Sequence, residues 1–215
     1  MAKRSVKAAV IGAGMSGLVT ARELLREGHR VVVFEKGGEV GGTWVYDPRV
    51  ESDLLGLDLA REVVHSSMYK SLRVNLPRPI MGFSDYPLEV KHGIGDDPRQ
   101  FPGHKEVLRF LRGFAEDSGV VELVRFGHEV VWVERRVVEG RNDEWVVEWR
   151  RRDGEAGAEV FEAVVVCNGK YTEPRLAEFP DCSDHWKLTE RGRHCEGHPT
   201  CRERSSRSFK RNQQV

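Results

Sequence analysis

A run of three glycines, Gly12-Ala13-Gly14-Met15-Ser16-Gly17, stands between an apolar stretch and an amphipathic one, and nothing else in this sequence restricts its fold as tightly. Val6 to Ile11 reads as a buried strand. Ser16 to Glu27 reads as a helix closed by Gly28, a residue that readily takes the left-handed conformation that ends helices. Arg30 to Glu35 returns as a second strand, with Val31, Val32, Val33 and Phe34 in the unbroken apolar row of a strand covered on both faces. Strand, glycine turn, helix and strand make a βαβ unit, which commits the chain to a parallel sheet.

The turn has a chemistry as well as a shape. Gly12 permits the tight turn, Gly14 lets the backbone approach a pyrophosphate, and Gly17 allows the helix to pack closely on the strand. The helix start, with Met15 and Ser16, adds unpaired N–H groups and the positive end of a dipole. Glu35 ends the second strand, where an adenosine ribose needs an acceptor for its hydroxyls, and a carboxylate there disfavours a 2′-phosphate. Gly12, Ala13, Gly14, Met15, Ser16, Gly17 and Glu35 are therefore candidate dinucleotide contacts. FAD and NAD share that adenosine half. An NAD domain would usually continue with a helix and a parallel strand, whereas this chain continues Lys36-Gly37-Gly38-Glu39-Val40-Gly41-Gly42-Thr43-Trp44. Glycines there let backbone pass close to the rest of a long dinucleotide, and the Trp44 indole is flat enough to cover a ring. FAD is favoured.

Further along, His104 to Ser118 is expected to be a helix with Val107, Leu108, Leu111, Phe114 and Ala115 on one face and Gly119 after it. Val130 to Arg136, Glu144 to Arg150 and Val160 to Val166 read as three strands of a short β-meander, ending in Val164 to Cys167, which look buried again. Residues between Gly37 and Gly103 show little periodicity and suit loops that wrap a ligand. The fold class implied is α/β: a Rossmann-like FAD-binding domain in three layers, a parallel sheet with an inserted β-meander. Its expected extent is 1–181. Residues 182–215 carry 8 Lys+Arg against 4 Asp+Glu and few large apolar side chains, and are expected to form a disordered basic tail.

Composition removes other classes. Lys+Arg and Asp+Glu number 34 each, so the net charge is zero and coating of nucleic acid is not expected. The longest uncharged run, Ala8 to Ala21, is interrupted by glycines and shorter than the roughly 20 residues of a membrane span. Lys3, Arg4 and Lys7 before an apolar stretch imitate a secretory leader, but the stretch runs straight into the glycine turn without a cleavage site. The four cysteines, 167, 182, 195 and 201, give no disulfide framework, and a reducing, cytoplasmic setting is expected. His194, Cys195, His198 and Cys201 fit no standard zinc spacing, so no metal is expected.

Five blocks carry a resemblance: Gly12 to Leu18, Gly41-Gly42-Thr43-Trp44, Tyr69-Lys70-Ser71-Leu72-Arg73-Val74-Asn75-Leu76-Pro77-Arg78, Phe101-Pro102-Gly103-His104-Lys105-Glu106-Val107-Leu108, and Cys167-Asn168-Gly169-Lys170-Tyr171-Thr172-Glu173-Pro174. In this order they resemble the flavin-containing monooxygenases, most closely the plant glucosinolate S-oxygenase-like branch, over about residues 6 to 180. The resemblance implies FAD reduced by NADPH, uptake of O2, and transfer of one oxygen to a soft sulfur or nitrogen nucleophile, a small thioether or amine. It implies that Asn75 is the active-site asparagine, and that Gly42, Thr43, Trp44, Asn75 and Val130 join the FAD contacts. An amide suits the place, since it donates to a developing oxygen charge without giving up its proton. Lys170 departs from the histidine typical of the plant branch.

The family continues with a second glycine turn for NADPH, which is not found in these 215 residues. The expectation is a monooxygenase by descent, truncated by a frame shift or mis-splicing and catalytically incomplete. A non-catalytic FAD-binding module and an FAD-dependent oxidase are the alternatives.

Overall fold

The computed structural model describes residues 4–51, 68–89, 97–137 and 144–170. The tail at 182–215 and its boundary at 181 lie outside them, as do His194, Cys195, His198 and Cys201. Strand β1 (Lys7–Ile11), helix α1 (Met15–Arg26) and strand β2 (Arg30–Glu35) form the opening βαβ unit, within one residue of the sequence pattern at each end. β1 and β2 pair in parallel, Ala8 beside Val31 and Val10 beside Val33. The helix stops where Gly28, at φ +81°, turns the chain back toward β2. A one-turn helix α2 (Arg78–Met81) precedes the long helix α3 (His104–Asp117), which Gly119 ends at φ +67°. Strand β3 (Val124–Phe126) follows and pairs in parallel with β2. Strands β4 (His128–Arg136), β5 (Glu144–Arg151) and β6 (Ala156–Phe161) are the antiparallel meander, and β7 (Ala163–Val166) returns to pair with β1.

The four-stranded parallel sheet thus has the order β3-β2-β1-β7, and the meander forms a separate sheet β4-β5-β6. Side chains alternate across the parallel sheet and build two cores. On the helix side Val10, Val31 and Val33 meet Leu18 and Ala21 of α1 and Val107, Leu111 and Phe114 of α3. On the other side Ala9 and Phe34 meet Val147 and Phe161 of the meander. The result is the expected order of layers, helices, parallel sheet and meander. Among the described residues no helix is long and apolar enough to cross a membrane.

Two readings of the sequence need correction. Val160 to Val166 is two strands, broken at Glu162. That residue donates its N–H to the Lys7 carbonyl at 2.8 Å, while its carboxylate accepts from the Lys7 N–H at 2.8 Å and from Arg4. The Lys7 N–H first, then Arg4, hold this carboxyl below its usual range. The break lets β6 finish the meander and β7 start in a different sheet. Val164 to Cys167 are also less buried than an apolar run suggests, with Val166 64% exposed, because β7 ends the sheet and has a strand neighbour on one side only among the described residues. Strand β3, three residues long, was too short to stand out as a period.

A methyl group built on Gly17 would lie 1.8 Å from the Gly12 carbonyl oxygen, a backbone atom that cannot swing aside. Gly17→Ala is expected to lower stability by about 2 kcal/mol or more, at the upper end of overpacking costs. Gly28→Ala meets no atom within 4 Å but inherits a positive φ, so its cost is expected to stay nearer 1 kcal/mol. Urea unfolding of the two variants checks the order.

Candidate functional site

The turn between β1 and α1 is built by exclusion. Gly12 takes φ +102°, and a Cβ on it would lie 2.6 Å from the Cys167 carbonyl oxygen at the end of β7. Its N–H donates to the Phe34 carbonyl at 2.7 Å, which ties the turn to β2. Gly14 is the N-cap of α1, and no side chain caps that end or places an acid in its first turn. The twelve-residue helix therefore starts with a positive dipole end that no acid of its own first turn offsets.

Glu35 ends β2 beside this turn. One carboxylate oxygen accepts from the Ala13 N–H at 2.7 Å and the other from the Gly37 N–H at 2.7 Å. Each oxygen keeps a second lone pair, so the group can hold the turn and still accept from a ligand hydroxyl. The second glycine loop lies against the first. Gly41 donates to the Ala13 carbonyl at 3.0 Å, and a Cβ on Gly42, at φ +57°, would lie 2.9 Å from the Gly14 Cα. Gly14, Ala13, Glu35, Gly41 and Gly42 thus share one place at the carboxyl ends of β1 and β2, where open α/β sheets bind ligands. Met15 and Trp44 are half-buried against the helix-side core, and Ser16 and Thr43 are exposed.

Val130 belongs to the far side of the sheet, packed on the cluster of Ala9, Phe34, Val147 and Phe161, at an irregularity in the β4–β5 pairing. Its strand is brought toward Glu35 by Gly127, which donates to the Gly37 carbonyl at 3.0 Å, and by Phe126, paired with Glu35.

Asn75 is exposed, on the segment that crosses the start of α3. Val74 donates to the Pro102 carbonyl, Arg78 to the Gln100 carbonyl and His104 to the Leu72 carbonyl, at 3.0, 3.0 and 3.1 Å. Exposed Leu76, Ile80 and Phe101 lie on the same pair of segments. α3 links this segment to the glycine loops, since Leu108 fills the space that a side chain on Gly41 would need and Arg112 pairs with Glu39. The sequence pattern missed the charges beneath. Arg78, 5% exposed, donates to the Arg99, Asp97 and Glu89 carbonyls and pairs with Glu106, itself 7% exposed. Asp97 accepts from Arg99, from the Gly103 N–H at 3.0 Å and from Arg73 at 3.1 Å. Arg78, Glu106 and His104 all fall within the resemblance blocks, which is the signal that was there to read. Among the described residues no group of acids, histidines or cysteines could hold a metal ion.

A description of flavin-binding monooxygenase-like proteins matches residues 5–187, a few residues past the boundary suggested by the sequence. The Arabidopsis thaliana protein called flavin-containing monooxygenase FMO GS-OX-like 3 is 52% identical over 181 residues, 84% of this chain and 40% of that protein. Flavin-containing monooxygenase FMO GS-OX5 of the same plant is 50% identical over 184 residues, 85% of this chain and 39% of that protein. The solved structure of S-allyl-L-cysteine S-oxygenase from Allium sativum superposes with a TM-score of 0.74 at 52% identity, covering 82% of this chain and 39% of that one. This chain spans about two-fifths of the length of these relatives. A steroid monooxygenase bound to NADP, 21% identical with a TM-score of 0.52, shares the fold.

The guanidinium of Arg99 foremost, then the Gly103 N–H and Arg73, hold the Asp97 carboxyl far below its usual range. A folded-state value below the unfolded one, about 3.9, contributes stability that is present above that value and lost as the pH falls toward the folded one. Asp97→Asn is therefore expected to melt below the wild type at neutral pH, with the gap closing below about pH 4. Thermal melts across that range check it.

Proposed function

The chain belongs to the flavin-containing monooxygenase family, and on that premise we propose that residues 1–181 are the FAD-holding part of an NADPH-using monooxygenase that oxygenates a soft sulfur or nitrogen nucleophile. The observation that carries the reading is the junction at the carboxyl ends of β1 and β2. There two glycine loops meet without side chains, beside a carboxylate with lone pairs to spare and an uncapped helix start. Backbone without side chains leaves room for a pyrophosphate, the helix start neutralises its charge, and Glu35 accepts the ribose hydroxyls. A 2′-phosphate would meet the Glu35 carboxylate, which argues for FAD in this cradle and for NADPH elsewhere.

Bound FAD supplies the redox chemistry, taking electrons from NADPH and activating O2. The chain's own residues orient and shield. Gly42, Thr43 and Trp44 continue the FAD path from the cradle, and Val130 approaches it from the meander. Asn75 presents a neutral amide that donates to developing negative charge without transferring its proton. Its exposed neighbours Leu76, Ile80 and Phe101 suit an apolar substituent on the nucleophile. The garlic relative is called an S-oxygenase of S-allyl-L-cysteine, a thioether. A thioether is accordingly our first choice of substrate, with an amine second.

Purified 215-residue chain is expected to show a flavin spectrum after incubation with FAD. Glu35→Ala is expected to weaken FAD about tenfold or more, the scale of one lost charge-assisted hydrogen bond. It should also lower stability by about 1 kcal/mol or more, since the Ala13 and Gly37 N–H groups lose their acceptor. Unchanged FAD affinity in this variant would refute the ribose assignment. Dithionite is expected to reduce the bound flavin of this chain readily. NADPH is expected to do so only at the rate of free flavin, because hydride transfer needs the donor held at about 3–3.5 Å. Fast, saturable NADPH oxidation coupled to sulfoxide formation would show instead that these 215 residues are catalytically complete.

A further inference from the structure

Among the described residues, one buried side-chain polar atom has no hydrogen-bond partner. His104 is 3% exposed at the first position of α3, and its Nδ1 is buried without a hydrogen bond. The other ring nitrogen, Nε2, lies 3.2 Å from the Lys70 carbonyl oxygen. A carbonyl can only accept, so the neutral ring carries its proton on Nε2 and presents a bare lone pair at Nδ1. The Tyr46 ring stands beside it, centroids 5.6 Å apart. Buried polar atoms in folded proteins are nearly always bonded, often through an ordered water.

The surroundings define the missing donor. A cation would sit at the positive end of the α3 dipole, which disfavours it, and an anion has no proton to give. A neutral donor remains, and ordered water is the commonest one at otherwise unpaired buried groups. We propose that His104 is the positioning residue of the Asn75 segment, its Nε2–H fixing the Lys70 carbonyl and its Nδ1 accepting a hydrogen bond from a neutral O–H donor, either a buried water or a hydroxyl of the bound dinucleotide. The functional part rests on the reading of the site as an FAD site. Through its ring and its backbone N–H, His104 anchors both Lys70 and Leu72. Arg73 bridges to Gly103 and Val74 bonds to Pro102, so the chain reaches Asn75 along a line pinned to the start of α3.

Imidazole nitrogen-15 spectra of the full chain, free and loaded with FAD, test the ring directly. The expected result is an Nε2–H tautomer with a hydrogen-bonded Nδ1. A bond present in both states identifies a water, and one that appears only with FAD identifies a dinucleotide hydroxyl. An Nδ1–H tautomer, or a bare Nδ1 in both states, overturns the proposal. Substitutions separate the two nitrogens. His104→Gln retains a donor near Nε2 and, where the spectra identify a water at Nδ1, is expected to keep FAD affinity within about threefold of wild type together with the visible circular dichroism of the flavin. Where they identify a dinucleotide hydroxyl, it is expected to fall between wild type and His104→Phe. His104→Phe is expected to lose about tenfold in affinity and to change that signal. His104→Asn keeps only an acceptor near Nδ1 and should resemble the Phe variant where Nδ1 bonds a water, and retain more affinity than Phe where it bonds a dinucleotide hydroxyl. Equal flavin spectra and affinities in all three variants would refute the positioning role. If the wild type takes up no FAD, the reading of the site fails, while the spectra of the free chain still decide what Nδ1 bonds.

Discussion

The contact on which the structure depends is one where a side chain is impossible. The Gly17 Cα rests on the carbonyl of Gly12, and the carbonyl of Cys167 closes the same spot from β7. Three backbones can meet there only because two of the residues lack a Cβ. That contact sets the angle at which α1 leaves β1, and so where the uncapped start of the helix points. Glu35 then locks the turn by accepting from Ala13 and Gly37 with separate oxygens. A group whose evident role is ligand recognition is also part of the frame.

A second dependence runs through α3. Its inner face fills the helix-side core, while its first turn and its sides reach both halves of the site. Leu108 packs at Gly41, Arg112 pairs with Glu39, and Gly103 and His104 hold the segment that carries Asn75. Below that segment Arg78, Glu106, Asp97, Arg73 and Arg99 form a connected set of charges. The Arg78–Glu106 pair is almost fully buried, and such pairs are unforgiving when one partner is removed, because the other is left charged and dry.

Much of this was legible from local pattern. Continuous apolar rows announced β1 and β2, glycines marked the ends of α1 and α3, and apolar stretches between turn residues marked the meander, its last strand excepted. What pattern could not show was decided by pairing between distant segments. Val160 to Val166 looks like one strand because the Lys7 backbone that breaks it at Glu162 is 155 residues away. β3 is defined by its neighbour β2 and not by any period of its own. The glycines and Glu35 could be read because a recurring turn fixes their roles. His104 and Arg78 were marked only by falling within the resemblance blocks, and Asp97 not even by that, since a buried polar group looks like a surface one until its partners are known.

The same separation governs how the chain must be made. β1 has β2 within reach as soon as α1 is formed, yet its other neighbour, β7, arrives only after α3 and the whole meander have been synthesised. Pairings this distant in sequence are slow to form, and strands waiting for them expose edges that associate with other chains. During synthesis the open edge of β1 is therefore a period of risk, in which a chaperone or a low expression temperature decides how much of the protein reaches its folded form.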